Sequence, residues 1–270
     1  VNKQNLMNPP APRKRFGQNF LHDHSIIDRI LDSVAPQADE HLVEIGPGQG
    51  AITVGLADAA GQLDVVEIDR DLAAILSQKP WANKVGIHVT DALEFDFSTL
   101  SKNNRSLRVV GNLPYNISTP LLFHFLEQLE LFQDIHVMLQ KEVVSRMIAV
   151  PNNRNYGRLT VALAAHCSVE MLFTIGAGAF KPAPRIESAF ARLTPLNKPM
   201  LNRREQPTFD RILRSAFGQR RKQLGNALRD VVSIDTIRAT NINPTQRAEN
   251  LDVDAYVALT KKHLQTSNEY

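Results

Sequence analysis

The chain has 270 residues, 43% of them hydrophobic, with a formal net charge of +3 and one cysteine. That length supports one large domain and a small one, each with a real core. Cys167 has no internal partner, which excludes a disulfide scaffold and predicts a reducing, cytoplasmic setting; no apolar run is long enough to span a bilayer, and the polar, proline-rich N-terminus reads as free of a secretion signal.

In chain order, residues 1–24 read as a basic arm. Lys3, Arg13, Lys14 and Arg15 precede the first acid, Asp23, and Phe16 and Phe20 are interleaved with them. Basic residues mixed with aromatics suit RNA contact or a lid over a site. Ile26, Ile27, Ile30, Leu31 and Val34 then recur at helical spacing. A short strand over 42–45 runs into the turn Gly46-Pro47-Gly48-Gln49-Gly50, and a helical pattern follows through Ile52, Leu56 and Ala57. Strand, glycine turn and helix open a doubly wound nucleotide-binding sheet. A second strand over 63–69 ends in acids, and Glu67 falls about twenty residues beyond the glycines, where a carboxylate pairs with ribose hydroxyls. A third strand over 85–89 leads to Asp91, placed to accept from an adenine amino group.

A fourth strand over 107–111 ends at Asn112-Leu113-Pro114-Tyr115. This turn suits a flat ring that carries an amino group. The Asn112 side-chain carbonyl accepts one amino hydrogen and the Leu113 backbone carbonyl the other. Pro114 removes a donor and stiffens the turn. Tyr115 offers a stacking face, worth roughly 1–3 kcal/mol per base. Ser118-Thr119-Pro120 predicts a capped helix start over the apolar run that follows.

The glycine turn alone is ambiguous, because Gly46, Gly48 and Ala51 with Glu67 also satisfy a dinucleotide fingerprint. Glu44 before the turn, Asp91 at a third strand end and the lack of a hydride-transfer acid/base set argue against a dehydrogenase. The lack of a lysine after the glycines argues against a nucleotide triphosphatase.

Further strands are predicted over 135–139, 168–175 and 188–193, and helices from 140 and over 156–166. The loop 176–185 is rich in glycine and proline, and its Phe180 reads equally as a second stacking face or a hydrophobic staple. Pro195, Pro199 and Pro207 mark a linker. Beyond about residue 200 the pattern is only helical, with eight basic residues between Arg203 and Arg229 against Glu205 and Asp210. Such clusters are the footprint expected for a polyanion partner.

Several blocks together resemble one family, the small-subunit ribosomal RNA adenine dimethyltransferases of the KsgA (RsmA) type. They are F-G-Q-N-F-L (16–21), E-I-G-P-G-Q-G (44–50), V-E-I-D (66–69), N-L-P-Y-N-I-S-T-P (112–120), M-L-Q-K-E-V-V (138–144), Y-G-R-L (156–159), the stretch 180–189 and F-G-Q-R-R-K (217–222). Ile186-Glu187, where Val-Asp is common, and Gly218 depart from the pattern. The resemblance implies an α/β, Rossmann-like seven-stranded class I methyltransferase sheet with a small C-terminal all-helical domain. The expected division is 1–24 arm, 25–197 S-adenosylmethionine-binding domain and 198–270 helical RNA-binding domain. Asn19, Leu21, Gly46, Gly48, Glu67, Asp91 and Asn112 would line the donor site. Asn112, Leu113, Pro114 and Tyr115, with Phe180, would hold the target base. Arg13, Lys14, Arg15, Arg220, Arg221 and Lys222 would bind RNA, and no metal is expected.

The implied reaction places four methyl groups on two adjacent adenines near the 3′ end of small-subunit rRNA, in an assembling subunit, by a monomeric enzyme. The rival readings are a large-subunit rRNA adenine methyltransferase of the antibiotic-resistance type and a mainly non-catalytic assembly factor.

Overall fold

Apolar runs four to six residues long alternate with amphipathic helical runs in the first half of the chain, and they fold as parallel strand–helix–strand units. The computed structural model describes residues 18–101, 103 and 105–267. They divide into two compact units. One comprises the chain up to Val144 together with Glu170–Pro195, the other Ser145–Val169 together with the chain from Leu196 onward.

In chain order the elements through the first unit are β1 (Phe20–Leu21), α1 (His24–Val34), β2 (His41–Ile45), α2 (Thr53–Ala59), β3 (Gln62–Val66), α3 (Arg70–Leu76), β4 (Val85–His88), β5 (Leu107–Asn112), α4 (Ser118–Glu127) and β6 (Phe132–Gln140). Helix α5 (Lys141–Met147) and, after α6 (Arg158–Ala164), strand β7 (Cys167–Ile175) cross the boundaries between the units. Then come β8 (Phe180–Lys181) and β9 (Ser188–Pro195). Seven strands form one sheet in the order β4-β3-β2-β5-β6-β9-β7. From β4 to β6 the pairs are parallel, and β9 runs antiparallel to β6.

Burial on both faces explains the unbroken apolar runs: Leu42, Val43, Val65, Val109, Val110 and Val137 are all sealed. Strand β2 pairs with β3 on one side and β5 on the other, so the strand order reverses between β2 and β5. At their carboxyl ends Ile45 faces Gly111, and Gly46 and Asn112 leave the sheet side by side. Ligands bind at such switch points in open α/β sheets.

Helix α1 shows why the local elements form. The Asp23 carboxylate accepts from the Ser25 and Ile26 amides, Ile27, Ile30 and Val34 make the buried face, and Ala35 ends the helix at a φ of 46°.

Four expectations need correction. Ser118 is not a helix cap: Ile117 occupies that position, and the Ser118 hydroxyl donates to the Tyr115 carbonyl at 3.0 Å. Pro207 does not break an element but sits in the first turn of α7 (Gln206–Gly218), where its missing N–H goes unmissed. Residues 18–24 are not a detached arm, because β1 pairs with β8 in a separate two-stranded ribbon and α1 begins at His24. Residues 145–169, expected with the sheet, group with the C-terminal helices.

The second unit contains α6, α7, α8 (Leu224–Ala227), α9 (Ile234–Ala239) and α10 (Val253–Ser267). Phe209, Ile212, Leu213 and Ala216 form the buried face of α7. The sealed Tyr256 donates its hydroxyl to the Ala248 carbonyl at 2.8 Å, and that of Tyr156 donates to the Leu251 carbonyl at 2.8 Å. The Tyr156 bond, with the Asn152 amide donating to the Glu249 carbonyl at 2.9 Å, ties 145–169 to the C-terminal segment.

Candidate active site

The carboxyl ends of β2, β3, β4 and β5 converge on one cavity of about 320 Å³ in the first unit. Its wall includes Gly46 and Gly48 after β2, Glu67 after β3, Asp91 after β4 and Asn112-Leu113-Pro114-Tyr115 at the end of β5. Asn19 and Leu21 close it from the β1 segment. The glycine bend and the Asn112–Tyr115 turn therefore share a single space.

Several wall residues are held by identifiable contacts. Gly48 has a φ of +58°, and a β-carbon there would meet the Phe20 ring at 3.1 Å, so the bend can lie flat against that ring only as glycine. Glu67 is nearly sealed, and its two oxygens accept from the amides of Gly48 (3.3 Å) and Asp69 (2.9 Å). Burial raises its pKa against the pull of those two amides. Asp91 accepts from the Leu93 amide at 2.9 Å. The Leu113 amide donates to the Met138 carbonyl at 3.1 Å, which ties the turn to β6.

Asn112 donates its side-chain amide to the Asn19 carbonyl at 3.1 Å. That bond fixes the amide orientation and leaves Oδ1 as an acceptor. Gln18 reaches Asp69 at 3.1 Å, and the His22 amide donates to the Ala179 carbonyl at 3.0 Å, so the Gln18–His22 segment is latched across the strand ends. The Tyr115 hydroxyl and the Ser188 hydroxyl are 2.7 Å apart, and Ser188 is fully buried at the start of β9. Burial raises the Tyr115 pKa, partly offset by this bond.

The wall carries Glu44, Glu67 and Asp91 and no lysine, arginine or histidine among the described residues. A wall with acids and no bases suits a cation, and with its apolar remainder (Ile45, Val66, Ile68, Leu72) it fits a nucleoside that carries a sulfonium.

Phe180 does not join this constellation. Its ring is 2% exposed, it lies in the same buried cluster as Leu21, Phe173 and Phe190, and it is not part of the cavity wall. The physical reason is β8: Phe180 pairs in register with Leu21, which turns the residue inward from what reads in sequence as a flexible loop. Arg13, Lys14 and Arg15 lie outside the described residues.

Arg220 is engaged internally in the second unit. It donates to the Glu249 carboxylate at 2.6 Å and to the Arg154 carbonyl at 2.8 Å. Arg221 and Lys222 are exposed and make no ion pair among the described residues. Sequence reasoning missed Ser188 and the Gln18 latch, whose partners lie far along the chain. Glu44 did carry a signal, an acid inside an apolar strand.

The sheet order, with a cavity at its switch point, is that of the class I methyltransferase fold. Two solved structures share the fold. A dimethyladenosine transferase from Plasmodium falciparum matches with a TM-score of 0.78 and 24% identity, covering 93% of this chain and 98% of that one. The 23S rRNA methyltransferase ErmE matches with a TM-score of 0.68 and 22% identity, covering 92% and 100%. Residues 11–264 match the family model described as ribosomal RNA adenine dimethylase. Ribosomal RNA small subunit methyltransferase A of Pseudomonas aeruginosa is 48% identical over 251 residues, which is 93% of this chain and 94% of that protein. The chain belongs to the ribosomal RNA adenine dimethylase family. Its methyl donor is S-adenosylmethionine. No helix among the described residues is long and apolar enough to cross a membrane.

Proposed function

We propose that this protein dimethylates the N6 amines of two adjacent adenines near the 3′ end of small-subunit rRNA, acting as a cytoplasmic monomer on assembling small subunits. Membership of the family and its 48% identity over 251 residues to a small-subunit enzyme carry the activity and favour the small over the large subunit. The observation that supports the site assignment is the single cavity joining the glycine bend to the Asn112–Tyr115 turn.

The adenine amine is a poor nucleophile because its lone pair is delocalised into the ring. In our reading Asn112 Oδ1 and the Leu113 carbonyl accept its two hydrogens and draw the nitrogen toward tetrahedral geometry. The Leu113 carbonyl accepts no hydrogen bond among the described residues, as this role requires. Tyr115 stacks on the unstacked base. When bound, S-adenosylmethionine supplies an electrophilic methyl on sulfur without help from a protein acid. Asn19, Leu21, Gly46, Gly48, Glu67 and Asp91 bind and orient that donor. No strong base is needed, since the amine proton becomes acidic once the methyl is attached. Orientation of the two partners contributes roughly 7–11 kcal/mol to such reactions.

The second transfer starts from an amine with one N–H, so one of the two acceptors is then dispensable. Arg221 and Lys222 are the surface residues of the second unit that we assign to RNA phosphates.

Incubating unmethylated small subunits with labelled donor, then mapping the modified nucleotides, tests the reading. Label on two neighbouring small-subunit adenines is the expected outcome. Label only on large-subunit rRNA, or none, would overturn it.

A further inference from the structure

Glu44 is the fourth residue of β2, is 1% exposed and forms part of the cavity wall. Its Oε2 has no hydrogen-bond partner. Its neighbours offer no compensating charge. In register, β3 presents Val65 and β5 presents Val110, while α2 contributes the Thr53 hydroxyl, a neutral group that eases the ionised form of Glu44 but brings no counter-charge. The charged group that faces it is Glu67, of the same sign, and the remaining titratable side chain of the wall is another acid, Asp91. Such surroundings disfavour an ionised carboxylate, and a buried acid without a counter-charge holds its proton more tightly. Burial, opposed by the Thr53 hydroxyl and reinforced by repulsion from Glu67, pushes the Glu44 carboxyl up to about 8.

We propose that Glu44 is a proton-linked binding residue for the methyl donor: entry of the cationic donor expels the Glu44 proton to solvent, and the ionised carboxylate becomes the donor's counter-charge. The inference rests on the reading of the cavity as the donor site. The balance is simple. An O–H bond breaks, the proton passes to buffer, the electron pair stays on the carboxylate, and no other bond changes.

Glu44 is protonated in the free protein at neutral pH and ionised in the complex, so binding releases a proton. Donor affinity then rises with pH up to about 8 and levels off above it. The steepest slope is about tenfold per pH unit for one linked proton. The donor's own α-amino group, titrating at about 7.7–8.0, works in the opposite sense if it binds protonated. A comparison with Glu44→Gln, which keeps the shape and removes the titration, cancels that contribution.

Calorimetry of S-adenosylmethionine binding at about pH 7, in two buffers of different ionisation enthalpy, counts the protons. Wild type is expected to release about one proton more per donor than Glu44→Gln. Equal counts in the two proteins would overturn the proposal. Infrared difference spectra of the wild-type protein give a second measurement that depends on no variant. Addition of donor should remove a protonated-carboxyl band and add a carboxylate band, and an unchanged carboxyl region refutes the inference. Glu67→Ala separates the two levels of the argument. If it leaves donor affinity intact, the cavity is not the donor site and both readings fall. If it weakens binding while no proton moves in wild type, only the role of Glu44 falls.

Discussion

Two buried ionisable side chains sit on adjacent strands of the sheet and meet opposite treatment. Arg108, near the start of β5, donates to both oxygens of Asp134 at 2.9 and 2.8 Å, to Glu40 at 2.7 Å and to the Val34 carbonyl at 2.8 Å. Glu44, near the end of β2, has an oxygen with no partner at all. Where the strands begin, charge is closed within the protein. Where they end, it is left open for something that arrives later. The contrast is between a group whose partners hold the fold and a group on the cavity wall with an oxygen to spare for a ligand, since an unsatisfied buried polar group lowers stability.

The largest effect expected from breaking this contrast is at the closed end. Arg108→Met leaves Asp134 and Glu40 without their fork, and breaking a buried pair in this way lowers stability by about 3–5 kcal/mol. Urea unfolding should show that loss, while the folded fraction binds S-adenosylmethionine with unchanged affinity. Weakened donor binding would mean that the two ends are not independent. Acid should reveal the same network. Burial would raise the Asp134 carboxyl, but the nearby His136 and the Arg108 hydrogen bonds outweigh it and hold the group below its ordinary value. Its stabilising contribution is then complete above the usual carboxylate range and fades as pH falls through the lowered value. Arg108→Met should flatten that acid limb.

At the open end the effect falls on rate instead. Asn112→Ala removes an acceptor set in place before the reaction, and losing one preorganised polar group of this kind lowers turnover by about 10²–10³. Single-turnover methylation of small subunits should show that loss while RNA binding holds and stability falls by no more than about 0.5–1.5 kcal/mol for the lost bond to the Asn19 carbonyl. Unchanged turnover removes Asn112 from the mechanism.

The two ends are also unequally legible in sequence. Glu67 and Asn112 each close an apolar run and Asp91 follows the next one, and a polar residue at the end of a parallel strand has little packing to do, so the site residues stand out. Gly46 and Gly48 stand out because their left-handed backbone excludes most other residues. What stays hidden depends on partners far along the chain. The β1–β8 ribbon joins two-residue strands too short to carry a period, so residues 18–24 read as an arm and Phe180 reads equally as a stacking face or a staple. Arg220 reads as one of a basic run, and only the fold shows Glu249 and the Arg154 carbonyl around it.

That distinction extends the comparison to the second unit. Arg221→Ala with Lys222→Ala should weaken RNA binding and reduce the salt slope by up to about 0.9 for each phosphate no longer neutralised. Arg220→Ala should chiefly loosen the 152–154 turn it holds, seen as faster amide exchange there. An unchanged salt slope in the double variant would mean that Arg221 and Lys222 face away from the RNA.

The smallest effect tests whether the open end is held open by design. Ser188 is sealed at the head of β9, opposite Gln140 of β6, and its hydroxyl meets that of Tyr115, which lines the cavity. If this bond orients the tyrosine ring for the base, Ser188→Ala and Tyr115→Phe should each reduce kcat/KM by about tenfold or less, the worth of one neutral hydrogen bond. The double variant should lose no more than either alone, because both changes delete the same bond. Ser188→Thr, which keeps the hydroxyl, should recover most of the activity, and donor affinity should stay constant throughout. Additive losses would place the serine's influence in the β6–β9 pairing instead of the ring. The polar atoms at the mouth of the cavity would then be satisfied for the fold's sake, as Arg108 is, and the contrast between the two ends of the sheet would narrow to Glu44 and Asn112.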